Sequence, residues 1–281
     1  MPRLALDGFE CHYQQHGAGP DVVLVHGFTS NQAMWLFSGI VTTLAVEFRV
    51  TTFDLRGHGL SAAPPTGYTS DIIASDFRQL HERLGLGPAQ VVGHSFGGVA
   101  TMQAALDEPE RIAGIILCDT YFPGLAHLEP NMGSAEVWTG LRDSFQAAGI
   151  EIGDTVDFRR LFDALPTLTD AQRNVLTERM GAPGVRWLAQ LGPLTTTTAA
   201  EDVFRAAGLT AERICQVRQP IVALYDEWTP FAATRDFLAA NLPNCRVDTV
   251  PGSGHLAMLE NPTGFVERVQ QNLRELAGQR G

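Results

Sequence analysis

The stretch Gln90-Val91-Val92-Gly93-His94-Ser95-Phe96-Gly97-Gly98-Val99-Ala100 decides the fold. It opens as a short β-branched strand and passes through Gly-His-Ser-Phe-Gly. It continues as a helix of small residues from Phe96 to Leu106. A strand that turns abruptly into a helix pushes one side chain to the apex of the turn. The crowding then demands small residues two before and two after it, here Gly93 and Gly97. Ser95 stands at the apex and at a helix N-terminus. Free N–H groups and the positive end of the helix dipole there favour a developing anion. The N–H of Phe96 points to the same place.

Further short apolar runs flank this turn. Phe9 to His16 alternates and ends at the turn Gly17-Ala18-Gly19-Pro20. Val22 to Val25, Phe48 to Asp54, Ile115 to Cys118, Ile221 to Tyr225 and Cys245 to Val250 read as strands, the most apolar of them covered on both faces. Helical spacing appears at Asp71 to Leu84, with Ser70 as the expected N-cap. It recurs at Pro230 to Asn241 and Pro262 to Leu276, each opening on a proline. Strands alternating with helices predict an α/β fold: a mostly parallel central sheet with helices on both faces.

The alternation fails from about Pro123 to Ile214. Amphipathic helical patterns fill that region instead: Ala135 to Ala148, Val156 to Leu165, Asp170 to Met180 capped by Thr169, and Glu201 to Ala207. Residues 123–214 are therefore expected to form a helical cap over the carboxyl edge of the sheet, where open α/β sheets place ligands. Residues 1–122 and 215–281 form the expected core.

Composition narrows the partners. The 281 residues are 44% hydrophobic and 18% charged, ordinary values for a packed protein. A chain of this length buries about three quarters of its unfolded surface and needs no metal or disulfide to fold. The formal net charge of −11 repels nucleic acid and anionic lipid alike. No apolar run has the length of a membrane span, and the first residues lack the apolar stretch of a signal peptide. Cys11, Cys118, Cys215 and Cys245 form no close pair, which fits reduced thiols and a cytoplasmic location. Cys11, His12 and His16 are the only clustered metal-ligand types, on an expected edge hairpin, with no second cluster to complete a shell. A homodimer stays open.

A serine hydroxyl needs a base to act as a nucleophile. His255, in Pro251-Gly252-Ser253-Gly254-His255, sits on a short Gly-rich loop between a strand and a helix. Of the other histidines, His94 neighbours the apex and is expected to point away from it. The base needs an orienting carboxylate. Asp226 ends a strand, and the chain order Ser95, Asp226, His255 makes it the first choice. Asp119, which ends the strand Ile115 to Cys118, and Glu227 are the alternatives. A second oxyanion donor is expected from Val25-His26-Gly27-Phe28, through the N–H of Phe28. Asp54, Arg56 and His58 are expected to hold their own loop.

The segments HGF at 26–28, DLRGHGLS at 54–61, GHSFGG at 93–98, DEWTP at 226–230 and GSGH at 252–255 together resemble the α/β-hydrolase superfamily, in its esterase-like branch with a helical cap. The resemblance runs through nearly the whole chain. It implies a Ser-His-acid triad on Ser95, His255 and Asp226, an oxyanion hole of the N–H groups of Phe28 and Phe96, and no cofactor or metal. Three departures bear on it. The apex is Ser rather than the Asp of epoxide hydrolases. The HGGG form of the oxyanion loop is absent, and Ala223 stands where many relatives have Gly. The expected activity is hydrolysis of a carboxylic ester or lactone through an acyl-enzyme. The alternatives are C–C bond or thioester hydrolysis, perhydrolysis, or a non-hydrolytic biosynthetic or binding role for the same pocket. The expected substrate is a small, largely apolar molecule. Trp35, Trp138, Trp187, Leu191 and Trp228 are candidate pocket residues, with Phe28 and Phe96.

Overall fold

The structure, a computed structural model, describes residues 2–132 and 135–278, without the side chains of 135–137. Eight strands form one sheet: β1 (Arg3–Leu6), β2 (Phe9–His16), β3 (Asp21–Val25), β4 (Arg49–Phe53), β5 (Ala89–His94), β6 (Ile112–Cys118), β7 (Ile221–Asp226) and β8 (Cys245–Val250). Their order is β1-β2-β4-β3-β5-β6-β7-β8. β1 and β2 pair antiparallel with their neighbours, and every pairing from β4 through β8 is parallel. β1 carried no clear strand signal, being four residues long with one buried side chain.

The central strands are apolar throughout because both faces are covered. Alternation along β3 shows the two layers. Val23 and Val25 pack with Ile73, Phe77 and Val99, from helices Ser70–Arg83 and Phe96–Asp107. Val22 and Leu24 pack with Ile40, Leu44, Phe265 and Val269 on the other face. Trp35 belongs to that second layer. It is fully buried and stacks on Phe265 at 6.2 Å between ring centroids.

Among the described residues, 123–214 contain no strand. Their main helices are Ala135–Ala147, Phe158–Ala164 and Asp170–Gln190. The last is two helical runs meeting at a kink: Gly181, at φ 66° and ψ 178°, is non-helical two residues before Pro183, so the break expected after Met180 is present. It starts on a capping box between Thr169 and Gln172. The helix expected at Glu201 to Ala207 is instead Ala199–Asp202. These helices bury an apolar cluster of their own, including Phe145, Leu161, Phe162, Leu176 and Leu191, which Tyr68 joins from the core. Two bonds tie the kinked helix to the loop after β3: Trp187 Nε1 donates to the carbonyl of Thr29 at 3.0 Å, and Asn31 donates to Gln190 at 2.7 Å.

Candidate active site

Ser95 follows β5 directly and caps helix Phe96–Asp107 with φ 51° and ψ −121°. A non-glycine residue at positive φ is strained and persists only when its surroundings enforce it. The neighbouring glycines do so. A Cβ on Gly93 would lie 2.7 Å from the backbone of Gly97 and Gly98, and one on Gly97 would strike the carbonyl oxygens of Val25 and His26. The helix start is thus pressed onto the end of β3. That contact brings the loop Gly27-Phe28-Thr29 beside the apex: a Cβ on Gly27 would stand 3.1 Å from Cβ of Ser95.

Two buried, neutral histidines fix that loop. His26 accepts the N–H of Leu55 at 3.0 Å on Nε2, so its Nδ1–H donates to the Gly27 carbonyl at 2.8 Å. His58 accepts the N–H of Thr29 at 3.2 Å on Nε2 and donates from Nδ1 to the Arg56 carbonyl at 2.8 Å. Burial lowers both, His58 to about 3, with the neighbouring His26 adding to the effect. The expected role of the DLRGHG segment as a scaffold holds for its other polar groups too. Asp54 accepts from backbone N–H groups of Gln32 and Leu60 at 2.8 and 3.0 Å and pairs with His12 at 2.8 Å. Arg56 pairs with Asp76. His12 is thus engaged and Cys11 is buried in the core; no cluster of metal-ligand side chains exists among the described residues.

The carboxylate that meets His255 is Asp119, not Asp226. His255 Nδ1 lies 2.6 Å from Asp119 Oδ2, and Asp119 is almost completely buried. The reason lies in the register of the sheet. His94 on β5 pairs with Cys118 on β6, so the next residues, Ser95 and Asp119, leave the edge side by side. Asp119 is also strained, at φ 45°, which turns its side chain out of the strand path. Asp226 is one strand further away, paired with Val250. Its carboxyl lies 3.2 Å from the hydroxyl of Ser253, which in turn reaches the Val250 carbonyl at 3.0 Å. A hydroxyl has one proton to give. When Ser253 gives it to Val250, the Asp226 carboxyl must be the donor, which only the protonated acid can be. Burial, reinforced by the charge of Asp119, raises Asp226 to about 8, against the lowering effect of the Ser253 hydroxyl. Glu227 faces elsewhere, accepting the N–H of Gly252 at 2.7 Å.

His94 has a part that its position in the sequence did not disclose. Its Nε2–H donates to the backbone carbonyl of His255 at 2.8 Å, with the two rings 4.8 Å apart. Burial, and then the charge of His255, lowers it to about 3, so it is neutral. It lines the same cavity as Ser95 and reaches the loop that carries His255.

Ser95, His94, His255, Phe28 and Phe96 all line one cavity of about 460 Å³. Trp138 and Trp187 line it from the helical region, as the sequence suggested. Three other candidates do not. Trp35 lies under the opposite face of the sheet. Leu191 is 1% exposed inside the helical cluster. Trp228 is 66% exposed at the surface. The walls are completed by residues the sequence did not single out, chiefly Tyr121, Phe158, Phe204, Phe231 and Leu256. Helical periodicity shows which positions are apolar but not which of them face a neighbour and which face a void.

Residues 22–268 match the sequence model of the alpha/beta hydrolase family. The chain is 29% identical over 273 residues to the pimeloyl-[acyl-carrier protein] methyl ester esterase of Chromobacterium violaceum, covering 93% of this chain and 97% of that protein. Among solved structures it is similar to the enol-lactonase from Burkholderia xenovorans LB400, with TM-score 0.70, 23% identity and coverage of 97% and 100%. It is similar also to a thermophilic esterase from Thermogutta terrifontis, with TM-score 0.69, 24% identity and coverage of 98% and 99%.

Proposed function

The chain belongs to the alpha/beta hydrolase family, and on that premise we propose that it hydrolyses a carboxylic ester or lactone through an acyl-enzyme formed on Ser95. The observation that carries the proposal is the 2.6 Å contact of His255 with buried Asp119, in the cavity that also exposes the strained Ser95. Similarity to the esterase of C. violaceum supports an ester as the bond type.

The Ser95 hydroxyl attacks the carbonyl carbon while its proton passes to Nε2 of His255. Asp119 accepts the Nδ1–H, fixes the tautomer and stabilises the imidazolium. The N–H groups of Phe28 and Phe96 hold the oxyanion of the tetrahedral intermediate, each donor typically worth about 2.7–4 kcal/mol. The intermediate collapses, the C–O bond breaks, and the alkoxide takes the proton from His255. In a lactone that alcohol stays on the acyl chain. Water then attacks the acyl-enzyme, with His255 again the base, and the carboxylic acid leaves. Asp226 touches this sequence only as a support: its backbone N–H donates to Asp119 Oδ1 at 3.4 Å, and its carboxyl is hydrogen-bonded to Ser253 on the loop of His255.

Ser95→Ala decides the reading. With p-nitrophenyl butanoate as substrate, the variant is expected to lose at least about 1000-fold in kcat. A fluorophosphonate should label wild-type Ser95 and leave the variant unlabelled. Wild-type turnover by the variant refutes the proposal.

A further inference from the structure

The lining of the cavity beside Ser95 speaks to the charge of what it holds. Besides Ser95, two histidines and the indole N–H groups of Trp138 and Trp187, its polar members are the hydroxyl residues Thr29, Ser30 and Tyr121. No Arg, Asp or Glu lines it among the described residues. All 20 basic residues of the chain are arginines, so none of its fixed cations meets the cavity there. One of the two histidines, His94, is neutral: its Nε2–H donates to the His255 carbonyl, and its Nδ1, an acceptor, has no partner among the described residues.

The charges outside point the same way. Glu227 and Glu260 accept the N–H groups of Gly252 and Gly254 on the loop that carries His255. Leu256 and Leu259, which line the cavity, are 40% and 56% exposed and give it an apolar rim. An anionic substrate meets a negative protein outside and finds no counter-charge inside. Burying an unpaired carboxylate in such a space is strongly unfavourable.

Phe158 forms part of the cavity wall. It faces the void and is the hub of an aromatic cluster. Its ring lies 5.0 Å from that of Phe28, 5.8 Å from Trp138 and 5.8 Å from Phe204. These contacts come from the loop after β3 and two other parts of the helical region, so the ring is held from several sides and cannot swing aside cheaply.

We infer that the substrate is an uncharged ester or lactone, apolar on both sides of the scissile bond, with its length limited by Phe158. The inference rests on Ser95 acting as proposed above. It separates this site from one that takes half-esters of diacids or acyl groups on a charged carrier.

The test uses the full chain, with active Ser95 counted by fluorophosphonate labelling. Three aryl esters are compared: phenyl hexanoate, the monophenyl ester of adipic acid, in which a carboxylate replaces the terminal methyl, and the methyl ester of that compound. The carboxylate is expected to lower kcat/KM by at least about 100-fold relative to phenyl hexanoate. The methyl ester, neutral though larger, should recover to within about tenfold. Equal turnover of the anionic ester overturns the inference while labelled Ser95 leaves the hydrolase reading intact. Preference for a choline ester, which aromatic faces can also hold, overturns it too. If Ser95 takes no fluorophosphonate and no ester is turned over, the hydrolase reading fails and this inference with it. Phe158→Ala, with Phe158→Leu as the milder variant, should move the preferred acyl chain to greater length by about three to four carbons, the volume of the ring removed. It should leave the neutral-to-anionic ratio unchanged. An unaltered chain-length profile in the folded variants removes Phe158 from its assigned role.

Discussion

Replacing Asp119 by Asn distinguishes the two carboxyls at the site. Asn keeps the size and one acceptor oxygen of Asp119 but removes the negative charge 2.6 Å from Nδ1 of His255. Two effects add. The amide can present an N–H to Nδ1, which favours the tautomer with the proton on Nε2 and blocks acceptance of the serine proton. The imidazolium formed during attack also loses its counter-ion in a site where Asp119 is 1% exposed and solvent screening is weak. Serine-hydrolase triads so altered lose about 10⁴-fold in kcat, or about 5.4 kcal/mol of transition-state stabilisation at 1.36 kcal/mol per tenfold. Asp226→Asn is the contrasting variant. Burial holds Asp226 near 8, so its carboxyl is mostly neutral at pH 7, and an amide there changes little charge. The expected loss is less than about threefold. Both variants would be assayed for kcat/KM on p-nitrophenyl butanoate at pH 7, with circular dichroism to show that each is folded. A folded Asp119→Asn with near wild-type activity, beside an Asp226→Asn reduced by 10³ or more, would refute the assignment and restore the order Ser95, Asp226, His255.

Asp226 also predicts a pH dependence of stability. Its carboxyl is raised from 3.8 to about 8 on folding, so between those values the folded chain binds a proton that the unfolded chain has lost. Stability therefore falls as pH rises through this window. Asp226→Asn should flatten that fall and stabilise the protein at pH 8 by on the order of 2 kcal/mol or more; parallel urea midpoints against pH for the two proteins would contradict this. His94→Gln offers an N–H toward the His255 carbonyl, whereas His94→Phe cannot; the first should keep more kcat than the second by at least about tenfold, with KM little changed. Equal kcat for the two would show that His94 merely fills space. Gly93→Ala places a methyl 2.7 Å from backbone atoms of Gly97 and Gly98, and should destabilise the chain by about 1–3 kcal/mol while lowering kcat, as read by thermal unfolding and turnover together.

Much of this protein is written in short-range chemistry. Gly93 and Gly97 mark the strained turn at Ser95 because their missing side chains leave the only room for it. The apolar runs of β3, β5, β6 and β7 mark a doubly covered sheet for the same local reason. His255 followed from a Gly-rich loop between β8 and a helix. β1 and the two short helices Ala33–Phe37 and Ile40–Leu44 did not stand out, each being five residues or fewer and too short to show a period.

What the chain order could not convey is distance across the sheet. Asp119 and Asp226 look alike along the sequence, each a carboxyl ending an apolar strand. Only the parallel register, in which His94 faces Cys118, sets Asp119 beside Ser95 and within reach of His255. Register is a long-range property, fixed when strands distant in sequence pair. The cavity walls followed the same rule. Trp35, Trp138, Trp187 and Trp228 were equivalent as letters, yet tertiary packing buried the first in the far layer, turned the next two onto the cavity and left the last in solvent. The sequence by itself determined the hydroxyl, its strained turn and the fold around it. The tertiary structure decided which acid holds the base and what kind of surface the substrate meets, because both depend on which residues become neighbours once the sheet closes.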